Sequence, residues 1–334
     1  MGLFSNGGAL TSLPGEAGVR LPRVLRHDPK TSHLVLEDLG SEYVVFWDLF
    51  KPELRLAVFG GGLADQVSWF GDLGRAVGHF FAVLHSTETV AAVQRTIAPG
   101  EDASFLEHRI TAAIVRQHAV DVIPARLTQH GGITETEADT LYQRVLSDFT
   151  RDPLGPVETC FALGDSHPGC LLISPTHILE GTAYPAVIDW EFATIAGRGA
   201  NGDMAQLLSY FHLFLLSHAP ETGEHRVVRE LVTWLCREYA ERSRLSFRRT
   251  MPGPDDPRWR VFRSALILHG REMVNQSVEW ELGDKRPTQD LVRAGAWYLE
   301  RAGGSVAEML EEHNLALLRA EDEGIMLALF NLSL

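Results

Sequence analysis

The residues whose types and spacing point to chemistry lie between Val157 and Tyr210. Phe161-Ala-Leu-Gly-Asp165-Ser-His-Pro-Gly-Cys170-Leu-Leu-Ile173 is an apolar run that stops at an acid, a polar turn, and a second apolar run. The pattern returns downstream as Pro185-Ala-Val-Ile188-Asp189-Trp190-Glu191, an apolar strand ending on two more carboxylates. Short strands that deliver acids to their ends can build a general-base site or a seat for a divalent metal. Asp165 or Asp189 taken alone reads equally well as a turn residue capping a loop. Together with Glu191 they point to chemistry.

These acids need elements to hold them, and composition says which kinds are open. The chain has 334 residues, 45% of them hydrophobic and 22% charged, the make-up of a globular protein with one large or two ordinary domains. It has no apolar run of about 18 residues, and its first residues lack the charged-then-apolar order of a signal peptide. The start also misses the myristoylation pattern, because Asn6 stands where Ser or Thr is needed. Cys160, Cys170 and Cys236 are few and widely spaced, so no disulfide framework is read and a reducing, cytoplasmic setting is the default. A formal charge of −14 argues against a broad nucleic-acid footprint.

In chain order, residues 1–20 are rich in Gly, Ser and Pro and read as poorly ordered. Pro22–Leu25 and Leu34–Gly40 read as two short strands around the polar turn His27–Lys30, and Tyr43 to Phe50 as a short helical segment. Asp65 to His85 carries an apolar stripe at Leu73, Val77, Phe80, Phe81 and Leu84, the pattern of a core-facing helix. Ala103–Gln117 and Thr134–Phe149 read as further helices, the second opening on a capping Thr and acids. A strand–turn–strand core follows from Val157 to Ile188, with a polar hairpin around Ser174–Thr182. Helices are expected from Asp203 to Leu216, Glu224 to Arg242, Trp259 to Trp280, Thr288 to Arg301 and Val306 to Leu318. The fold expected is α+β: a small β-containing start and a large helical body, with strands embedded at the acids.

Leu163-Gly-Asp165-Ser-His167-Pro-Gly-Cys170 resembles the catalytic loop of the aminoglycoside phosphotransferase and choline kinase group, whose usual form is His-Gly-Asp-x-His-x-x-Asn. Ile188-Asp189-Trp190-Glu191 resembles that group's metal-binding segment, and Gly202-Asp203-Met204-Ala205 its later Asp-x-Ala at a helix head. Leu34–Gly40 resembles the strand and hinge that carry adenine, and Ala82–His85 the helix after it. The match runs from about Leu21 to Leu318 and looks nearest to the methylthioribose kinase-like and fungal small-molecule kinase branches. The resemblance implies a protein-kinase-like fold with residues 1–40 as a truncated N-terminal nucleotide lobe and 41–334 as a helical C-terminal lobe. It implies transfer of a phosphoryl group from ATP, with magnesium, to a hydroxyl of a small molecule. Asp165 would be the catalytic acid–base group. Glu37, Asp38 and Leu39 would meet the adenine. Asp189 and Glu191 would hold the metal, with Cys170 at the third position, and His167 and Asp203 would support the loop.

Three departures qualify this implication. Leu163 replaces the loop His, and Cys170 replaces the Asn that usually contacts magnesium, which prefers hard oxygen. Upstream, only about 20 residues precede the matching segment, with no Gly-rich loop and no Lys. The lysines are Lys30, Lys51 and Lys285, of which Lys30 reads as a solvated turn residue. The alternative is therefore a non-catalytic pseudokinase, a binding module that keeps the substrate body. A third reading, a Gly-Asp-Ser esterase with Ser166 as nucleophile, lacks the downstream Asp-x-x-His pair. Trp280, Trp297 and Tyr298 read as core residues more readily than as an acceptor wall, and His269 and His313 as core or surface residues. The acidic balance favours a cationic acceptor.

Overall fold

The computed structural model describes residues 19–28, 30–31, 33–60, 62–96, 109–181, 184–243, 255–280, 286–305, 308, 311 and 324–332. Residues 1–18, Lys285, His313, the beginning of the helix expected over Ala103–Gln117 and most of that expected over Val306–Leu318 lie outside them. Val19 and Arg20 belong by sequence to the poorly ordered start, yet they are packed. Val19 is buried, and Arg20 adds a parallel bridge to the strand before Asp189, donating N–H to Pro185 O at 2.8 Å and accepting from Val187 N at 3.0 Å.

The arrangement is the expected α+β one. Strands β1 (Val24–Asp28) and β2 (His33–Leu36) form an antiparallel hairpin. The segment expected to be helical from Tyr43 divides: Val44–Val45 is strand β3, and only Phe46–Phe50 coils, as a 3-10 turn. The alternating, β-branched Val44–Val45 finds a partner strand, β5 (Leu171–Ile173), which a local reading cannot see. Strand β5 in turn pairs with β6 (Pro185–Val187), giving a three-stranded antiparallel sheet, while β4 (Thr159–Ala162) pairs with β7 (Thr194–Arg198). The acid-bearing loops are thus the exits of β4 and β6. The polar hairpin expected at Ser174–Thr182 contains a short helix, α7 (Pro175–Leu179), opened by Pro175 at its first position.

Around these strands sit helices α1 (Pro52–Phe59), α2 (Leu63–Leu84), α3 (Thr87–Thr96), α4 (Arg109–Val115), α5 (Ile123–Gln129) and α6 (Glu135–Thr150). The C-terminal helices are α8 (Ala205–Leu216), α9 (Gly223–Arg242), α10 (Arg258–Glu279), α11 (Thr288–Arg301) and α12 (Ile325–Leu329). Helix α6 begins as expected: Thr134 Oγ accepts from Glu137 N at 3.3 Å while Thr134 N donates back to Glu137 at 3.2 Å. The stripe on α2 is buried in the core, and on an adjoining face α2 approaches α9 closely because Gly71, Gly74 and Gly78 line the contact. A Cβ at Gly74 would stand 2.3 Å from Leu231 O and one at Gly78 2.4 Å from Leu235 O. Among the described residues no helix is long and apolar enough to cross a membrane.

Candidate functional site

The β4 exit is shaped by what lies beneath it. Gly164 has φ +90°, and a Cβ there would lie 2.1 Å from Phe192 O, so only glycine lets the loop carrying Asp165 rest on the turn that follows Asp189. The two exits are also joined by Trp190. Its indole N–H donates to Val187 O at 3.1 Å and its ring stacks on Phe161 of β4, 6.4 Å between centroids.

A second support comes from the head of α8. The Asp203 carboxylate is buried and accepts N–H bonds from Leu163 at 2.7 Å and Gly164 at 2.9 Å. Its Oδ2 also meets His85 Nε2 at 3.0 Å, and His85 Nδ1 meets the Tyr239 hydroxyl at 3.1 Å. One turn on, Gln206 Nε2 donates to Asp165 Oδ1 at 2.6 Å and Gln206 Oε1 accepts from Ser166 N at 3.3 Å. Neither Gln206 nor His85 stands out in the sequence as a site residue. The signal for Gln206 was its spacing: three residues after Asp203, it shares that residue's helix face.

His167 faces two ways. Its Nδ1 accepts from Gly169 N at 3.0 Å, which leaves the ring proton on Nε2, 3.8 Å from Asp189 Oδ2. Asp189 itself adopts φ +62°, ψ +55°, a left-handed conformation rare for a non-glycine residue, at the end of β6. Burial, reinforced by the nearby Glu191 and Asp165 charges, raises its carboxyl above the usual carboxylate range. Glu191 is exposed.

Cys170 is bonded to its own loop. It is fully buried, donates Sγ–H to His167 O at 2.7 Å and receives His167 N at 3.4 Å. Burial holds the thiol far above its normal range, so it stays protonated, a soft and already bonded group that does not fit magnesium. Asp189 and Glu191 do fit. Magnesium is commonly held by one or two carboxylates completed by water and substrate phosphate, and the raised Asp189 carboxyl is one whose charge a cation would relieve. Among the described residues no three His, Cys, Asp or Glu side chains form a metal-ready group, so such a seat has carboxylates for only part of its shell.

The segment expected to meet adenine lies after β2. Glu37 donates its N–H to Arg23 O at 2.8 Å, and its carboxylate is bracketed by Arg20 at 2.9 Å and Arg23 at 3.2 Å, which hold it below the usual range, Arg23 foremost. Asp38 accepts from Gly40 N at 2.9 Å and closes the turn. Leu39 is half-buried. Both N-terminal arginines are therefore spent on Glu37, and Lys30 is exposed, as the sequence suggests.

Asp165 opens into a cleft of about 460 Å³ whose walls include Gln206, Tyr210, Glu272, Gln276 and Trp280. The lining also includes Ile114, Val115 and Ala119, from the end of α4 and the turn after it. Trp280 therefore lines the cleft, flanked by Trp47 at 4.4 Å and Tyr210 at 4.6 Å. Tyr298 is buried in the core against His212 and His269, and Trp297 is half-buried with Arg301 above its ring. Ser166 Oγ is buried without a hydrogen-bond partner among the described residues, so none of them is in place as the base that would make it a nucleophile.

No protein-family model and no curated protein matches the chain in sequence. Among solved structures it is similar to the GDP and kanamycin complex of APH(2")-IIIa, at 15% identity and a TM-score of 0.37, over 88% of this chain and 79% of that one. It is also similar to choline kinase from Cryptosporidium parvum Iowa II, at 12% identity and a TM-score of 0.38, over 94% and 81%. Likeness at this level leaves function to be argued from the cleft's own side chains.

Proposed function

We propose that the protein transfers a phosphoryl group from ATP to a hydroxyl of a small molecule bound in the cleft. The observation that carries this is Asp165: a carboxylate fixed at the cleft mouth, with one oxygen held by Gln206 and its loop riveted by Asp203. Its Oδ2 is then the atom to receive the acceptor hydroxyl's proton and aim the oxygen. Phosphoryl transfer asks chiefly for such positioning and for neutralisation of charge. Asp189 and Glu191 would hold magnesium, which supplies neutralisation of the phosphate charge when bound. His167, bonded to its own loop and facing Asp189, keeps the two exits in register. The backbone around Leu39 would meet the adenine, since the Glu37 N–H is already taken.

A second reading is favoured by one observation. The buried, bonded Cys170 thiol removes the third metal position, which suits a pseudokinase that binds small molecules and transfers nothing. The two readings part on a direct experiment. With magnesium and ATP, the wild-type protein is expected to show thermal stabilisation that D189N loses, and slow release of phosphate that D165N lowers about 100-fold or more. Stabilisation by ATP without any phosphate release or transfer would establish the pseudokinase, and no response to nucleotide at all would overturn the kinase reading.

A further inference from the structure

The cleft's polar groups say what kind of acceptor it takes. Three carboxylates line it, and two already have cationic partners: Glu272 receives Arg271 Nε at 2.8 Å, and Glu279 receives Arg126 at 2.6 Å. The third is Asp165. Two neutral side chains, by contrast, have no hydrogen-bond partner among the described residues: Tyr210 and Gln276, each 7% exposed and both lining the cleft. The polar ends of both side chains reach the cavity and are not among the fully buried unpaired atoms, and such a pair beside a fixed carboxylate is shaped for a ligand that both donates and accepts. Burial and the neighbouring acids push the Tyr210 phenol well above its ordinary range, so it stays a protonated hydroxyl able to do either. Beside them Trp280, packed against Tyr210 and Trp47, adds an aromatic edge to the lining.

We propose that the acceptor is an uncharged, polyhydroxylated molecule of the sugar or polyol class, with hydroxyls bonded to the Tyr210 phenol and the Gln276 amide and one hydroxyl presented to Asp165. A cationic acceptor would draw on Asp165, the carboxylate of the lining with no cationic partner among the described residues and the one that must take the proton. The assignment rests on the phosphoryl-transfer reading for the role of Asp165, but not for binding.

The test is binding without turnover. Calorimetric or saturation-transfer titrations of the full chain use a panel of neutral pentoses, hexoses and linear polyols, with glucosamine and choline as cationic controls. At least one neutral member is expected to bind, with little dependence on salt, and Y210F and Q276L are each expected to weaken it about tenfold, because each strands a ligand hydroxyl. Y210F keeps the ring packing, and matching thermal melts show that both variants remain folded. Tighter, salt-sensitive binding of glucosamine or choline, retained in Y210F and Q276L, would overturn the proposal, as would failure of every neutral member to bind. Titration with magnesium and ADP separates the two readings: sugar binding that needs Tyr210 in a protein blind to nucleotide leaves the acceptor class standing and removes phosphoryl transfer.

Discussion

Asp165 and Asp189 sit in opposite circumstances although both end a strand. Asp165 is held by a neutral amide donor. Asp189 is crowded by Glu191 and Asp165, and its folded carboxyl titrates above its ordinary value. The sign follows from that direction. A carboxyl raised in the folded state binds its proton more tightly there, so folding stability falls as pH rises from about 4 through the raised value. D189N, which carries no charge, is expected to melt higher than the wild type at pH 7, with the difference closing below about pH 4 in thermal scans. Magnesium chloride with a nucleotide should shrink the same gap. Gln206 yields a prediction that concerns rate more than stability. Q206L frees the Asp165 carboxylate to rotate, and kcat is expected to fall about 100-fold while the KM for ATP holds, because a misplaced base loses the chemical step and not the nucleotide. An equal rise in KM would show that Gln206 serves binding instead.

At the scale of elements, the strand exits were legible and their braces were not. Apolar runs ending on Asp165 and Asp189 are local patterns, as are the capping box at Thr134 and the stripe from Leu73 to Leu84. What the chain does not print locally is partnership. Val44–Val45 is a strand only because β5 lies alongside it, and His85 matters only because Asp203, far along the chain, folds onto it. Exposure of Gln276 and Tyr210 to one cleft depends on how α8 and α10 cross. The glycines of α2 read as helix weakeners, since glycine costs about 1 kcal/mol in a helix interior, and only the contact with α9 explains them. G78A is expected to lower stability by about 3 kcal/mol despite the better propensity of alanine, because Leu235 O occupies the space its methyl needs. Urea unfolding measures this, and a stabilised G78A would mean that the two helices do not approach so closely.

For the whole molecule, the body is locked by polar networks sunk in the core. Arg151 and Arg198 share Asp148 and Glu158, tying α6 to the β4–β7 pair, and Asn201 joins them through Glu158 and Ser264. Between α8, α10 and α11, His212 Nδ1 meets His269 Nε2 at 3.1 Å while His269 Nδ1 meets Ala205 O at 3.1 Å. Burial first, then His212, hold His269 well below its ordinary range. Such a group leaves stability untouched above about pH 6.5 and lowers it as pH falls, because the unfolded chain takes up the proton and the folded one resists it. Chemical denaturation as a function of pH is expected to show this slope below about pH 6.5, and H269Q to flatten it.

The left-handed backbone at Asp189 has an evolutionary reading. A carboxylate in that conformation, beside two others of like sign, is a poor choice for folding, and glycine or asparagine would sit there with less strain. A library of position-189 variants screened only for survival on heating should therefore drift away from the native acid, and one screened for chemistry should return to it. The divergence between those two outcomes would measure how much thermal robustness this chain forgoes in order to keep a negative charge at the end of β6.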